Sequence, residues 1–144
     1  MSAMIPGVDY VGLGVGAVIV RDRQVLMLLR SDDCRNNRGM WTIPGGMVET
    51  FEKLEDAVRR EVEEETGLQV TSVAFLAVSD RTFEGQHWVS VLYTCDVAGE
   101  PVNAEPSRHE RIAWHDPGSL PTNLTAPSRD AIEAFRERSG PVRP

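Results

Sequence analysis

Seven acidic side chains crowd the stretch from Glu52 to Glu65, and a helix there cannot turn all of them to water. At about 100° per residue, Leu54, Ala57, Val58 and Val62 form one apolar stripe. Glu61 and Glu65 project into the same arc and Glu64 lies at its edge, whereas Glu55, Asp56 and Glu63 point away. Like charges four residues apart on an exposed helix cost only roughly 0.2–0.5 kcal/mol. A carboxylate withdrawn from water costs far more unless it is paired or bound to a metal. Arg60, one turn before Glu64, offsets one charge but not three. The spacing therefore admits two outcomes, a hard divalent cation held by oxygen ligands or a partly wet acidic face.

The elements around this stretch must hold it in place. Tyr10 to Val20 reads as a strand loosened by Gly12, Gly14 and Gly16. These glycines ease twist and packing or let a ligand approach the backbone, and their spacing is not a dinucleotide fingerprint. A turn at Asp22 and Arg23 leads to a second strand, Gln24 to Leu29, followed by a polar loop from Ser31 to Gly39. Trp41 to Ile43 reads as a short strand broken by Pro44-Gly45-Gly46. The acidic helix runs from about Glu52 to Thr66, with Gly67 as its stop.

Val73 to Val78 is a continuous apolar run, which predicts a buried strand. Trp88 to Val97 alternates, placing Val89, Val91, Tyr93, Cys95 and Val97 on one face. A Pro-rich loop from Gly99 to Arg108 precedes a short strand, Ile112 to His115. A last helix begins after Thr125 or Ala126, with Pro127 in its first turn and Ala131, Ile132 and Phe135 on its buried side, and Gly140-Pro141 stops it. This order predicts an α/β or α+β sheet with helices packed on it.

A length of 144 residues fits one domain over 1–144. The net charge of -7 argues against coating a nucleic-acid polymer, which needs basic patches, but not against small nucleotides bridged by metal. Cys34 and Cys95 match neither a metal pattern nor a disulfide framework. No apolar run approaches the roughly 20 residues that span a bilayer, and no signal segment is evident. A cytoplasmic protein without membrane contact is the expectation. Exposed edge strands are compatible with a homodimer.

The stretch from Gly46 to Leu68 resembles the signature of the Nudix hydrolases, G-x5-E-x7-R-E-U-x-E-E-x-G-U, where U is a bulky aliphatic residue. Gly46, Glu52, Arg60, Glu61, Val62, Glu64, Glu65, Gly67 and Leu68 fill every fixed position. The lead-in Trp41-Thr42-Ile43-Pro44-Gly45 and the strand order resemble the family as well. The resemblance implies an α/β/α sandwich around a mixed β-sheet. It also implies an enzyme that uses Mg²⁺, with Mn²⁺ as a substitute, to hydrolyse a nucleoside diphosphate linked to another group.

Carried over by position, Glu61, Glu64 and Glu65 become metal ligands together with the carbonyl of Gly46. Glu52 and Arg60 brace the loop against the helix, and Glu61 or Glu64 is the catalytic base. Phe51 stands where family members often have glycine and is expected either to pack or to line the substrate pocket. Arg30 resembles a basic residue that faces phosphate, with an exposed, solvated arginine as the alternative, and Glu110 resembles a downstream acid that supplies an extra metal ligand or base. His87 and Trp88 precede the alternating strand and either meet a nucleobase by stacking or stand as an edge-strand histidine and a packed tryptophan. His109 and His115 form no zinc spacing with the cysteines.

Downstream, Arg81-Thr82-Phe83-Glu84-Gly85 lacks the proline associated with ADP-ribose hydrolysis. The later segment looks more like MutT-type enzymes, which split nucleoside triphosphates into monophosphate and pyrophosphate. Hydrolysis of ADP-ribose or another NDP-sugar is the rival activity. A nucleotide-binding regulatory module without turnover is the rival class.

Overall fold

The computed structural model describes residues 3–34 and 36–138. In chain order it contains β1 (Gly12–Val18), β2 (Val20–Arg21), β3 (Gln24–Arg30), β4 (Trp41–Thr42), β5 (Gly45–Met47), α1 (Leu54–Thr66), β6 (Gln69–Phe83), β7 (Gln86–Ala98), β8 (His109–His115) and α2 (Ala126–Arg138). One sheet has the order β5-β1-β7-β6, with β1 and β7 parallel and the other pairs antiparallel. In the second, β3 pairs with β2, β4 and β8, all antiparallel. The sheet is thus mixed, and the two helices pack on it, as expected.

Alternation along the strands builds two cores. Val15 and Ala17 of β1, with Tyr93 and Cys95 of β7, meet Ala57, Val58 and Val62 of α1. Val18 of β1 and Leu92 of β7 turn the other way, toward Ala131 and Ile132 of α2. Because successive strand residues point to opposite faces, one strand pair serves both layers and ties α1 to α2.

Two expectations about strands need correction. Val73 to Val78 is not a buried strand. It is the middle of β6, a 15-residue strand at the sheet edge, where Leu76 is buried while Phe75 and Val78 are each 55% exposed. Val70 packs into the core under α1 and Leu76 into the core under α2, while the residues between them are left largely open, so an apolar run here does not mean burial. Pro44-Gly45-Gly46 does not simply break the chain. Gly45 and Gly46 enter β5, held by pairing with Gly16 and Val15.

The helix α1 ends as its sequence suggests. Gly67 adopts φ 71°, and its N–H donates to Glu63 O at 2.9 Å, the left-handed stop that glycine favours. The stop expected at Gly140-Pro141 lies outside the described residues. No described helix is long and apolar enough to cross a membrane. Leu92 is fully buried in the strand that serves both cores. Leu92→Ala should cost about 2–5 kcal/mol, measured by urea denaturation, with the unfolding slope unchanged.

Candidate metal and nucleotide site

Arg60 organises the motif. Its Nε donates to Glu52 Oε2 at 2.7 Å and its Nη2 to Glu52 Oε1 at 2.9 Å, a two-pronged pair. Nη1 reaches Glu61 Oε1 at 2.8 Å and Glu64 Oε2 at 3.3 Å, and Nη2 also donates to the carbonyl of Met47 at 3.1 Å. Strand β5, the following turn and α1 are thereby fastened through one guanidinium, whose fork suits carboxylates. The hydrogen bonds from Arg60 hold the Glu52 carboxyl down at about 2.

Glu61 and Glu65 are 8% and 3% exposed, whereas half of the Glu64 side chain is exposed. Burial raises the proton affinity of Glu61 and raises that of Glu65 well above the ordinary carboxyl range. The N–H of Gly45 donates to Glu65 Oε1 at 2.8 Å. Gly46 has no room for a side chain, because a Cβ there would stand 2.5 Å from the Glu61 carboxyl carbon. The Gly46 backbone and the Glu61 carboxylate therefore lie against each other.

Glu105 adds to the negative field at Glu61 and Glu65, and its carboxylate clusters with Glu65 and His109. Glu110 is not in that cluster and is exposed on β8; the acid that the cluster draws from this part of the chain is Glu105. His109 is fully buried and held neutral, with its pKa down at about 4 through burial and the nearby Arg30 and Arg108. The available sequence signal was the spacing of Glu105 and His109, four residues apart.

Arg60 already hydrogen-bonds three carboxylates and lies 3.9 Å from a fourth, Glu49, and among the described residues Glu65 has no cation in hydrogen-bonding contact. Crowded, partly dehydrated oxygen donors of this kind fit a hard divalent ion. Glu61, Glu64, Glu65 and the Gly46 carbonyl are the residues that would hold it.

A cleft of about 770 Å³ opens beside the motif, sharing Gly45, Gly46 and Met47 with it. Arg30, Arg81, Arg108, Trp88 and the start of α2 also line it. Arg30 donates through Nε to Asn36 O at 2.9 Å. The ring of Trp88 occupies the space beside Gly7 and Gly12, and its Nε1 donates to Gln86 Oε1 at 2.9 Å. His87 does not line this cleft. Its Nε2 lies 2.7 Å from Asp80 Oδ1 at the sheet edge, and it lines a separate shallow hollow. Phe51 neither packs nor lines the cleft, being fully exposed.

Helices packed on a mixed sheet and an acidic loop–helix centre are the arrangement that the glutamate-rich motif implies. Residues 11–135 match the family model for the NUDIX domain, and the chain belongs to the Nudix hydrolase family. It resembles the crystal structure of a MutT NUDIX hydrolase from Burkholderia pseudomallei, with 39% identity, a TM-score of 0.80, and coverage of 85% of this chain and 96% of that one. It is 34% identical over 114 residues to the ADP-ribose pyrophosphatase of Methanocaldococcus jannaschii, covering 76% of this chain and 64% of that protein. To the NAD-capped RNA hydrolase NudC of Vibrio atlanticus it is 32% identical, covering 72% of this chain and 38% of that protein. The chain thus spans less than two thirds of the length of these two curated relatives.

Two outcomes follow from this geometry. Phe51 has φ 68° at the third position of a turn closed by Glu52 N–H to Glu49 O at 3.1 Å, where glycine is favoured. Left-handed backbone costs a side-chain-bearing residue roughly 1–2 kcal/mol, and the exposed ring returns no packing. Phe51→Gly is therefore expected to hold or raise stability, by up to about 1 kcal/mol after the entropy cost of glycine, as read by chemical denaturation. Buried carboxyls of raised proton affinity must also lose protons before they bind a cation. Divalent-cation affinity should accordingly fall, and proton release on binding increase, as pH is lowered into the raised titration range of these carboxyls. Calorimetry in buffers of different ionisation enthalpy measures both.

Proposed function

We propose that this chain is a divalent-metal-dependent hydrolase of a phosphoanhydride bond in a nucleoside diphosphate-linked substrate. The preferred substrate is a nucleoside triphosphate, cleaved to monophosphate and pyrophosphate. The observation that carries this reading is the position of the acidic centre at the edge of the cleft, with Gly46 belonging to both. Polyanionic phosphates could not approach so many carboxylates without a cation between them. A bound Mg²⁺ or Mn²⁺ would neutralise that charge and lower the pKa of coordinated water.

The protein's own groups then divide the work. Glu61 is the proton acceptor: burial raises its basicity above that of an ordinary carboxylate, and its carboxylate abuts Gly46 at the cleft. Arg60 fixes one oxygen of Glu61 and leaves the other to face the cation and its coordinated water. Glu64, Glu65 and the Gly46 carbonyl would serve with Glu61 as ligands, and the Glu52–Arg60 pair keeps the turn and helix in register. Arg30, Arg81 and Arg108 line the cleft and favour phosphate. Trp88 offers the apolar surface that a nucleobase needs.

The relatives support the hydrolytic class but differ in substrate. One is named an ADP-ribose pyrophosphatase, another an NAD-capped RNA hydrolase, and the similar solved structure is titled a MutT hydrolase. The test is a panel of triphosphates, ADP-ribose and NDP-sugars with Mg²⁺, assayed for monophosphate and pyrophosphate. Triphosphates should turn over fastest. Glu61→Gln should lower kcat by roughly 10²–10⁴-fold while KM changes little. Turnover of ADP-ribose without triphosphates would refute the substrate assignment, and full activity in Glu61→Gln would refute its role as base.

A further inference from the structure

The loop after β7 carries two more side chains to the inner end of the acidic centre. Val102 N–H donates to Thr66 O at 2.9 Å and Ala104 N–H to Glu65 O at 3.2 Å, so the loop is fastened across the last turn of α1. The N–H groups of Arg108 and His109 then both donate to Glu105 O at 3.0 Å. This single helical turn brings side chains four apart to one side. Asn103 Nδ2 donates to His109 O at 2.7 Å and holds the end of the turn.

Glu105 and His109 consequently converge on Glu65. One oxygen from each carboxylate and one ring nitrogen lie within 4.8 Å of one another. The Gly45 N–H takes Glu65 Oε1, while Glu65 Oε2 stands 3.5 Å from His109 Nε2, beyond good hydrogen-bond length. His109 is only 1% exposed, yet neither of its ring nitrogens has a hydrogen-bond partner, nor does Glu105 Oε1. Buried polar atoms are seldom left so. Ligand atoms about 2.0–2.2 Å from one cation stand at most roughly 4.4 Å apart, so side-chain adjustment within this cluster would bring the three atoms around one ion.

We propose that Glu65, Glu105 and His109 form an inner, mixed oxygen–nitrogen ligand set that takes a divalent transition metal, Mn²⁺ in preference to Mg²⁺. This inference rests on the reading of the acidic centre as a metal site and adds a nitrogen ligand to it. Mg²⁺ favours all-oxygen shells and retained waters, whereas imidazole suits the transition metals. His109 thus sets which cation the site prefers, a property distinct from turnover.

The experiment uses the full chain, stripped with chelator and titrated with Mn²⁺ alone, without nucleotide. Pulsed electron paramagnetic resonance of the bound Mn²⁺ should show coupling to a directly coordinated ¹⁴N. The coupling should vanish in His109→Ala and in His109→Gln, with Mn²⁺ affinity lowered at least ~10-fold and Mg²⁺ affinity changed by less than ~3-fold. Absence of nitrogen coupling in the wild-type protein overturns the proposal, however the variants fold. Nucleotide hydrolysis without that coupling would sink the ligand set and leave the proposed reaction standing. Coupling without hydrolysis of any nucleotide would do the reverse.

Discussion

The carboxylates of Glu61 and Glu65 lie out of water on the inner side of α1, and much of the local architecture follows from that. Dehydrating two like charges is unfavourable unless positive or hydrogen-bonding groups are fixed around them. Arg60 serves Glu61, the Gly45 N–H serves Glu65, and the Gly46 backbone fills the space against Glu61 where any side chain would collide. These partners come from two pieces of chain, α1 itself and β5. Strand β5 must therefore be pinned to β1, and the turn at 49–52 must be pinned to the helix by Glu52. A guanidinium that touches three carboxylates and a carbonyl is the means by which these pieces share one geometry.

The layers make that geometry rigid. The strands β1 and β7 present alternate residues to α1 and α2, so the sheet beneath the acidic centre is packed on both faces. On the far side, Asp130 of α2 accepts hydrogen bonds from Arg81 and from Ser79 at 2.6 Å, and Ser128 Oγ accepts from the Ile43 N–H at 2.9 Å. These contacts seat the start of α2 beside the cleft. Placing charged groups within a few tenths of an ångström requires such support, because a loop alone would relax to solvate them.

What the sequence revealed depended on the range of the interaction. Helical periodicity alone predicts that Glu61 and Glu65 face inward and Glu64 sits at the edge, because an apolar stripe and its acids lie within four residues of one another. The stop at Gly67 and the alternation in β7 are equally local. Burial of β6 was not legible, since an apolar run does not say whether a helix covers its face or whether the strand lies at an edge. Neither was the pairing that draws Gly45 and Gly46 into β5, which depends on β1 some thirty positions away.

The same distinction explains the exchange of Glu110 for Glu105. Reading along a strand, Glu110 is adjacent to the apolar register of β8 and looks well placed. Position along the chain does not decide which acid meets α1, however. Backbone hydrogen bonds from the 99–108 loop to Glu65 and Thr66 decide it, carrying Glu105 over the helix end while the strand turns Glu110 to solvent. Those bonds satisfy carbonyls that the end of a helix leaves free. A need of the helix terminus, general to any helix, thereby sets the position of a charged group at the chemical centre. Variation in that loop would shift the acid set without altering a residue of the glutamate-rich motif.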